Sequence, residues 1–503
     1  MPKYSTCPVC SQRAALTPKL DRFKVHAVGG TRCQGSGRPA QAKRSRFKAV
    51  KVIVPIVTGA IAAAAGIVAI LQFAGVSPSR SEPTATATST ATSPAVKIAS
   101  SPQQLVSSNS TGKVGDGDSG RPSFDASGRY VVFTSDSTNL APGATNGQYN
   151  IYRKDRESGA VYLASSGMNG EPSNGSSQFP VICSTGRFIA FASIATNLVP
   201  SAPGIDGSDY QVYVNDSLTR QTYLVSATNT GEAANGDSRN PMFTSDCSEV
   251  VFESTATNLS ATTGVSNVYV KNLLSQSVTL VSTYGAGNSL NSNSTHAAIN
   301  QTGTMVAFTS WATNLPGATD GVPAMYLRDL QTGKTLNVSS AFLHFCPTAE
   351  GYSWPSFSPD GRYLVFTSVN SRGNPEFRGN CVFVWDTEEH RSAIVGATGT
   401  PVGWSDACVT GVNNGTTFAP EISNPTHTHP YLILFTVGRP NGACSLVLRD
   451  LQGNDIPVKS EVNQGQILEP SINSSGDYLS WDVSGRRQQV YACKLTSCTE
   501  GLS

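Results

Sequence analysis

Apolar and polar residues alternate in short runs along most of the chain, and the runs return about every 58 residues. The clearest copy reads Trp354-Pro355-Ser-Phe-Ser-Pro-Asp360-Gly361-Arg-Tyr-Leu-Val-Phe366. Alternation of this kind predicts half-buried strands, and Asp-Gly between two strands predicts a tight turn. A fixed long period predicts repeated supersecondary units that bury their faces only against their neighbours.

Seven copies of the motif can be aligned on one anchor position at the first strand. The anchors are Pro122, Pro180, Pro241, Ala297, Pro355, Pro420 and Pro470. Each copy continues with a second strand such as Tyr130–Ser135, a polar loop, a third strand such as Asn150–Asp155, and a fourth such as Val161–Ser165. Four short strands per repeat are typical of a propeller blade. The motif residues are therefore interpreted as scaffold, and recognition is expected in the loops.

The two ends of the repeat region predict how the ring closes. The last copy supplies only three strands, the third being Gln489–Lys494, whereas Gln104–Ser108 matches fourth strands such as Tyr223–Ser226. The N-terminal strand is therefore expected to complete the last blade, which hides sheet edges that would otherwise invite aggregation. The predicted fold is all-β, a closed seven-bladed propeller over residues 103–498.

The segment from Pro355 to Phe366 resembles the TolB-type, WD40-like propeller repeat, whose pattern is Pro-x-aromatic-Ser-Pro-Asp-Gly-Lys/Arg-x-aliphatic-x-Phe. The resemblance implies a propeller across nearly 400 residues. One copy keeps the full Ser-Pro-Asp-Gly, and TolB itself has six blades and an additional α/β domain. The resemblance is therefore one of repeat, and it does not imply TolB's role.

The loop after the second strand carries its own repeated tetrapeptide. Its four copies are Ser137-Thr-Asn-Leu140, Ala195-Thr-Asn-Leu198, Ala256-Thr-Asn-Leu259 and Ala312-Thr-Asn-Leu315. Asn beside Thr at a fixed loop position predicts a local turn closed by a side-chain to backbone hydrogen bond. Direct contact with a ligand is the alternative interpretation.

Charge divides the chain into two unlike parts. Residues 1–51 carry 12 Lys or Arg and one acid, a net charge of +11, whereas the remainder carries 24 basic and 33 acidic residues, a net charge of −9. Between them, Val52–Ala74 is an uncharged apolar run of 23 residues, which as a helix would span roughly 34 Å. The preceding basic segment, 41–51, predicts that the N-terminus is cytoplasmic and the propeller extracytoplasmic.

A cleaved signal peptide is the alternative to a single-pass anchor, although signal sequences have short leaders and apolar cores of about 7 to 15 residues. Residues 75–102 are rich in Ser, Thr and Pro and contain few bulky apolar side chains. They are expected to form a disordered tether.

The head, residues 1–40, contains Cys7, Cys10, His26 and Cys33, in the spacing Cys-x2-Cys-x15-His-x6-Cys. Zinc prefers four thiolate or imidazole ligands in a tetrahedron, so these residues are the predicted zinc ligands. The pattern resembles the short zinc-ribbon heads of bacterial membrane proteins. Unbound reduced cysteines in a basic tail are the alternative. The positive charge is explained by membrane topology, and no nucleic-acid binding is expected.

Eight cysteines follow the apolar run, an even number that favours disulfides in an extracytoplasmic domain. Equivalent positions and separations of 35 and 36 residues predict the pairs Cys346–Cys381 and Cys408–Cys444. Cys493–Cys498 is expected to close a local loop. Cys183–Cys247 is assigned by elimination.

No catalytic constellation is recognisable in the sequence, so an enzyme is not predicted. His427-Thr-His429 lies among turn residues and favours a solvated loop over a metal site. Asp116-Gly-Asp118 and Asp206-Gly-Ser-Asp209 are candidate calcium ligands, but equivalent loops replace the acids with Asn or Ala.

The sequence therefore predicts a monomeric, membrane-anchored binding or scaffold module for an extracytoplasmic protein or a cell-envelope glycan. The ligand-binding residues stay unassigned. Loop aromatics are the candidates for contact, namely Trp354, Trp404, Phe342 and Phe345. The alternative is a cell-wall carbohydrate-active enzyme, hydrolase or lyase, or a lectin, that uses the central channel. Two facing carboxylates about 5 to 10 Å apart would favour hydrolysis, and an aromatic rim would favour binding.

Overall fold

The structure is a computed structural model that describes residues 4–6, 13–15, 27–28, 31–32 and, with gaps, 103–499. The gaps are residues 145, 168, 201–202, 261–263, 286, 343–350, 370–379, 394–403, 408–419, 428, 439–443, 457, 459–466 and 485–486. The chain divides into two compact units, Met1–Ala65 and Gly66–Ser503.

In the first unit the described residues form two short antiparallel hairpins. Strand β1 (Tyr4–Thr6) pairs with β2 (Arg13–Ala15), and β3 (Ala27–Val28) pairs with β4 (Thr31–Arg32). The four predicted zinc ligands lie outside the described residues, so the zinc site stays a prediction.

The second unit contains seven antiparallel blades. Its first described strand is β5 (Gln104–Leu105). Blade one is β6 (Ser119–Phe124), β7 (Tyr130–Ser135), β8 (Asn150–Asp155) and β9 (Val161–Leu163). Blade two is β10 (Ser177–Ile182), β11 (Phe188–Ser193), β12 (Gln211–Asp216) and β13 (Gln221–Leu224). Blade three is β14 (Ser238–Phe243), β15 (Glu249–Ser254), β16 (Asn267–Asn272) and β17 (Val278–Leu280).

A small hairpin of β18 (Thr283–Tyr284) and β19 (Asn288–Ser289) leads into blade four. Blade four is β20 (Ser294–Ile299), β21 (Met305–Ser310), β22 (Ala324–Asp329) and β23 (Thr335–Asn337), followed by a 3-10 turn, Ser339–Phe342. Blade five is β24 (Gly351–Phe357), β25 (Tyr363–Val369), β26 (Asn380–Asp386) and β27 (Arg391–Ser392).

After the additional strand β28 (Trp404–Ala407), blade six is β29 (Glu421–Ile422), β30 (Leu432–Gly438), β31 (Cys444–Asp450) and β32 (Asp455–Ile456). Blade seven is β33 (Ile467–Ile472), β34 (Tyr478–Val483) and β35 (Gln489–Lys494), with helix α1 (Leu495–Thr499) after it.

The ring closes as the sequence predicts. Strand β5 pairs with β35, with Leu105 opposite Tyr491 and Gln104 opposite Ala492, so the N-terminal strand is the fourth strand of blade seven. The first strands follow one another around the centre, and β33 of blade seven contacts β6 of blade one. The predicted seven-bladed, all-β fold is thus confirmed.

Blades five and six are joined, which the sequence does not predict. Strand β28 pairs with β26 of blade five and with β30 of blade six, so the two blades form one nine-stranded sheet. Strand β28 pairs with the parts of β26 and β30 that β27 and β29 leave unpaired. The other five blades are separate four-stranded sheets.

The core lies between the blades and is built from the second and third strands. Phe133 of β7 stacks on Tyr152 of β8 with ring centroids 5.7 Å apart, and both side chains are fully buried. The same pair recurs in the next three blades as Phe191–Tyr213, Phe252–Tyr269 and Phe308–Tyr326. Because each blade buries these rings against its neighbours, each blade depends on the blades beside it for its core.

The repeated Asn of the loop tetrapeptide has a scaffold role, but the turn it closes is not local. Asn258 donates to the carbonyl of Ala233 at 2.9 Å and accepts from the backbone N–H of Asn235 at 3.1 Å. Asn139, Asn197 and Asn314 make the equivalent bonds. Each Asn therefore ties its loop to the segment that leads into its own blade, 23 and 25 residues upstream.

Candidate functional site

The first strand bulges at the residue before the anchor in six of the seven blades. In the six blades where this residue is described, its backbone has a positive φ: Arg121 (55°), Phe179 (56°), Asn240 (53°), His296 (51°), Trp354 (59°) and Glu469 (39°). The pairing register shifts at the same place in each of these strands. A left-handed backbone costs roughly 1 to 2 kcal/mol for a residue with a side chain. Its recurrence shows that the fold enforces it.

The bulges surround a cavity of about 250 Å³ at the centre of the ring, here called the channel mouth. Its wall combines the six pre-anchor residues, the six anchors that follow them, Met242 of β14 and the carboxylates Glu253 of β15 and Glu421 of β29. The anchor side chains are buried, whereas the pre-anchor side chains are only half-buried. The bulge thus separates a packed residue from one that faces the cavity.

Arg121 links an aromatic ring and a carboxylate in this wall. Its guanidinium lies 4.4 Å from the centroid of the Phe179 ring, a cation–π distance. It also lies 3.6 Å from the carboxylate of Glu469. Burial raises the pKa of Glu469, and the charge of Arg121 opposes that rise.

His296 and Trp354 form a second contact, with ring centroids 3.8 Å apart. The Nδ1 atom of His296 lies 2.8 Å from the hydroxyl oxygen of Ser353 and 3.1 Å from that of Thr295. Burial lowers the pKa of His296 to about 4, so the imidazole is neutral at physiological pH.

Glu253 projects from β15 and is 7% exposed. Its Oε1 accepts hydrogen bonds from the side-chain amide of Asn240 at 3.1 Å and from the backbone N–H of His296 at 2.6 Å. Burial nevertheless raises the pKa of Glu253 to about 7. Glu421 accepts from the N–H of Ile472 at 2.7 Å, and burial raises its pKa also to about 7.

Asp482 lies behind Glu469, on the paired strand β34. Its Oδ2 accepts from the amide of Gln488, whereas its Oδ1 is buried without a hydrogen-bond partner in the described part of the chain. Burial, with the charge of Glu469 adding to it, raises the pKa of Asp482 well above its usual range. Gly120 makes room for this carboxylate, since a Cβ there would lie 2.7 Å from Oδ2.

Two of the four aromatic residues predicted for contact are placed differently from expectation. Phe342 is fully buried, packed on Phe366, Phe383 and Trp385, so its prediction as an exposed contact residue is wrong. Trp354 lies on β24 in the channel mouth and not on a loop. The side chain of Trp404 and all of Phe345 lie outside the described residues.

The disulfide Cys183–Cys247, assigned by elimination, is confirmed, with the Cα atoms 5.8 Å apart across blades two and three. Cys493 is also disulfide-bonded. The side chain of its predicted partner Cys498 lies outside the described residues. So do Cys346 and Cys408 and the side chains of Cys381 and Cys444, and these three pairings stay predictions.

In the acidic loops considered for calcium, carboxylate oxygens accept hydrogen bonds from Thr and Ser residues. Asp116 accepts from the backbone N–H of Thr138 at 2.6 Å and from its hydroxyl at 2.7 Å, and Asp206 accepts from Ser208. His429 lies 3.7 Å from Asp477, whereas His427 is exposed. Within the described residues, no cluster of His, Cys, Asp or Glu is arranged to hold a metal.

The predicted membrane span at 52–74 and the tether lie outside the described residues. Among the helices that are described, none is long and apolar enough to cross a membrane.

The sequence identifies Trp354 as a contact candidate but none of the other channel-mouth residues, because they lie in a motif that is interpreted as scaffold. The variation at the pre-anchor position could have indicated them. This position holds Arg, Phe, Asn, His, Trp and Glu in different copies, whereas the anchor beside it is almost always Pro. A repeat position that packs would be expected to keep one residue type, as the anchor does.

No protein-family model matches the sequence, and no curated protein matches it. Among solved structures, TolB from Acinetobacter baumannii is 16% identical with a TM-score of 0.35, and the match covers 55% of this chain and 53% of that chain. This chain thus spans about half the length of that TolB.

An oligogalacturonate lyase in complex with manganese is 14% identical with a TM-score of 0.47, covering 75% of this chain and 90% of that one. A prolyl endopeptidase is 12% identical with a TM-score of 0.45, covering 76% and 48%. The chain is thus similar to propellers of the TolB and prolyl oligopeptidase types, and these similarities concern the fold alone.

Proposed function

We propose that this protein is a non-catalytic binding module, and that its propeller holds one terminal group of an extracytoplasmic protein or cell-envelope ligand in the channel mouth. The observation that carries the proposal is the bulge: six described blades each turn a different side chain toward one cavity. Backbone strain repeated around a cavity points to a functional site.

The composition of the wall suits binding. Ligand sites are concave and mostly apolar, with a few convergent polar groups that fix orientation. The channel mouth has the rings of Phe179 and Trp354, the thioether of Met242 and the amide of Asn240 beside its charged groups. A cavity of about 250 Å³ is smaller than typical drug-sized sites, so it suits one sugar ring or one amino-acid-sized group.

The same proposal places the propeller outside the cell, held by an uncleaved anchor at 52–74. It is supported by the change from a net charge of +11 before this segment to −9 after it. The Cys183–Cys247 disulfide adds support, because disulfides persist mainly in oxidising compartments.

The head is proposed to bind one zinc ion through Cys7, Cys10, His26 and Cys33. Measuring zinc in the purified full-length protein, and in a variant with Cys7→Ser and Cys10→Ser, tests this. About one zinc per chain that the double substitution removes is the expected result. Equal zinc content in both proteins would overturn it.

A second candidate function is carbohydrate hydrolysis or lysis in the channel. It is favoured by Glu253 and Glu421, since a carboxyl group whose pKa burial raises to about 7 can act as a general acid near neutral pH. If this candidate is correct, the protein releases products from a cell-wall glycan. Glu253→Gln should then abolish product release while the protein still binds the glycan.

The binding proposal is tested with the full-length protein in detergent against defined peptidoglycan fragments, chitin and chitosan oligomers, and purified envelope proteins. Trp354→Ala and Phe179→Ala should each weaken binding at least about tenfold. Leu218→Ala is the matched control, because Leu218 is 72% exposed on a turn of blade two. Binding that survives both channel substitutions, or no binding at all, would refute the proposal.

A further inference from the structure

We propose that the group held in the channel mouth is an organic ammonium ion, recognised by carboxylates from three blades and by the faces of two aromatic rings. This inference rests on the proposed function, because it names the chemistry of the ligand for the same cavity.

The wall carries more acidic than basic groups. Glu253 of blade three, Glu421 of blade six and Glu469 of blade seven line the cavity, and Arg121 is the one cationic side chain among the described lining residues. Arg121 is paired with Glu469. Glu253 and Glu421 are therefore left without a cation in the wall. Because burial raises the pKa of both to about 7, a ligand that brings a positive charge would favour their ionised form and supply its partner.

The other groups that hydrogen-bond to these carboxylates are neutral. Glu253 is contacted by the amide of Asn240 and the N–H of His296, whose ring is neutral. Burial raises the pKa of Glu253 and the charge of Arg239, opposite it on β14, opposes that rise, but the guanidinium of Arg239 is paired with Asp237 at 2.8 Å. Glu421 is contacted by Ile472 and Ser471 of β33.

The arrangement suits an organic cation better than a metal ion. The three carboxylates come from different blades, and the described residues contain no cluster close enough to hold a metal. An ammonium group has three donors and no acceptor, so it can hydrogen-bond to one carboxylate and be attracted by the charge of the others at longer range.

The aromatic part of the wall adds a second, independent argument. Cations bind over aromatic faces within about 6 Å of the ring centroid. The site already contains such a contact, since the guanidinium of Arg121 lies 4.4 Å from the centroid of Phe179. Trp354 provides another ring in the same wall. A neutral hydroxyl ligand would gain from the rings but would leave the carboxylates without a charge partner.

Calorimetric titration of the full-length protein with two matched pairs of probes tests the inference. The first pair is chitosan trisaccharide and its fully N-acetylated form, and the second is triglycine amide and N-acetyl-triglycine amide. At about pH 7 at least one free amine should bind, and its acetylation should weaken binding at least about tenfold. The amine that binds identifies the source as an amino sugar or a peptide terminus.

Substitutions in the wall give effects of opposite sign. Glu421→Gln should weaken binding of the amine about tenfold or more, whereas Arg121→Gln should tighten it severalfold, because the competing cation is gone and Glu469 is free. A general packing defect would weaken both. Glu157→Gln is the control, since the Glu157 side chain is 70% exposed on a blade-one turn.

Acetylated probes that bind as tightly as the amines would overturn the inference, and so would the failure of both amines to bind. The proposed function fails separately. If a probe binds irrespective of its charge but Trp354→Ala abolishes binding, the ammonium inference is wrong and the channel is still the binding site. If Trp354→Ala and Phe179→Ala leave binding unchanged, the proposed function itself is wrong.

Discussion

Glu253 gives the sharpest test of the electrostatics of the channel mouth. Burial raises its pKa from 4.5 to about 7, while its hydrogen bonds to Asn240 and His296 are retained. Between these pH values the folded protein binds a proton that the unfolded chain releases. The contribution of Glu253 to stability is therefore fully present below about pH 4.5 and is lost as the pH rises through about 7.

The size of the loss follows from the two pKa values. At about 1.4 kcal/mol for each pH unit between them, folding with Glu253 becomes less favourable by about 3 kcal/mol from pH 4.5 to above pH 7. Glu253→Gln removes the titration and keeps an oxygen that can accept both hydrogen bonds. We expect the variant to match the natural protein near pH 4.5 and to be about 3 kcal/mol more stable above pH 7.

The measurement is the free energy of unfolding in denaturant for both full-length proteins from about pH 4.5 to pH 8. The difference between them isolates Glu253, because other groups titrate equally in both. His296 is one such group. Burial lowers its pKa from 6.5 to about 4, so its contribution to stability is fully present above pH 6.5 and is lost as the pH falls through about 4. Leu218→Ala, which removes no titratable group, should give a difference that does not change with pH. A difference for Glu253→Gln that does not change with pH would refute the reasoning.

Three further predictions concern the scaffold. Phe342→Ala should destabilise the protein by about 3 to 5 kcal/mol in denaturant unfolding, because the ring is fully buried; a loss below about 1 kcal/mol would contradict that burial. Cys183→Ser with Cys247→Ser should cost about 2 to 4 kcal/mol, and reductant should then have less effect on the variant than on the natural protein; an equal effect would argue against this bridge. Asn258→Ala should lower the free energy of unfolding by about 1 to 2 kcal/mol and speed hydrogen exchange at the backbone N–H of Asn235. Unchanged exchange there would contradict the hydrogen bond from this N–H to Asn258.

The fold could be predicted largely because its information is local and repeated. Strands such as Tyr130–Ser135 and Asn150–Asp155 follow from alternation and from the turn residues that bound them, and they have these bounds in the structure. Closure by Gln104–Leu105 followed from counting strands, since the last copy lacks its fourth.

Features that depend on tertiary pairing could not be predicted in the same way. The joining of blades five and six through Trp404–Ala407 depends on which strand edges are free, and no periodicity in that segment shows this. Phe342 follows the last strand of blade four without alternation, so its burial against Phe383 is decided by a neighbouring blade. A side-chain to backbone hydrogen bond of Asn258 was predicted within its own loop, but in the structure its partner, Ala233, lies 25 residues upstream.

The channel mouth escaped prediction because left-handed backbone has no residue signature when glycine is not used. Arg121, Asn240 and Trp354 share a φ between 53° and 59° although their side chains have nothing in common. The buried anchor that follows is Pro in five of the six described blades and Ala297 in the sixth, so the anchor packs in each copy while the preceding side chain varies. Substitutions before the anchor therefore change the cavity wall while the ring stays the same. The repeat that looked like pure scaffold is in this way also the means by which each blade contributes its own group to one site.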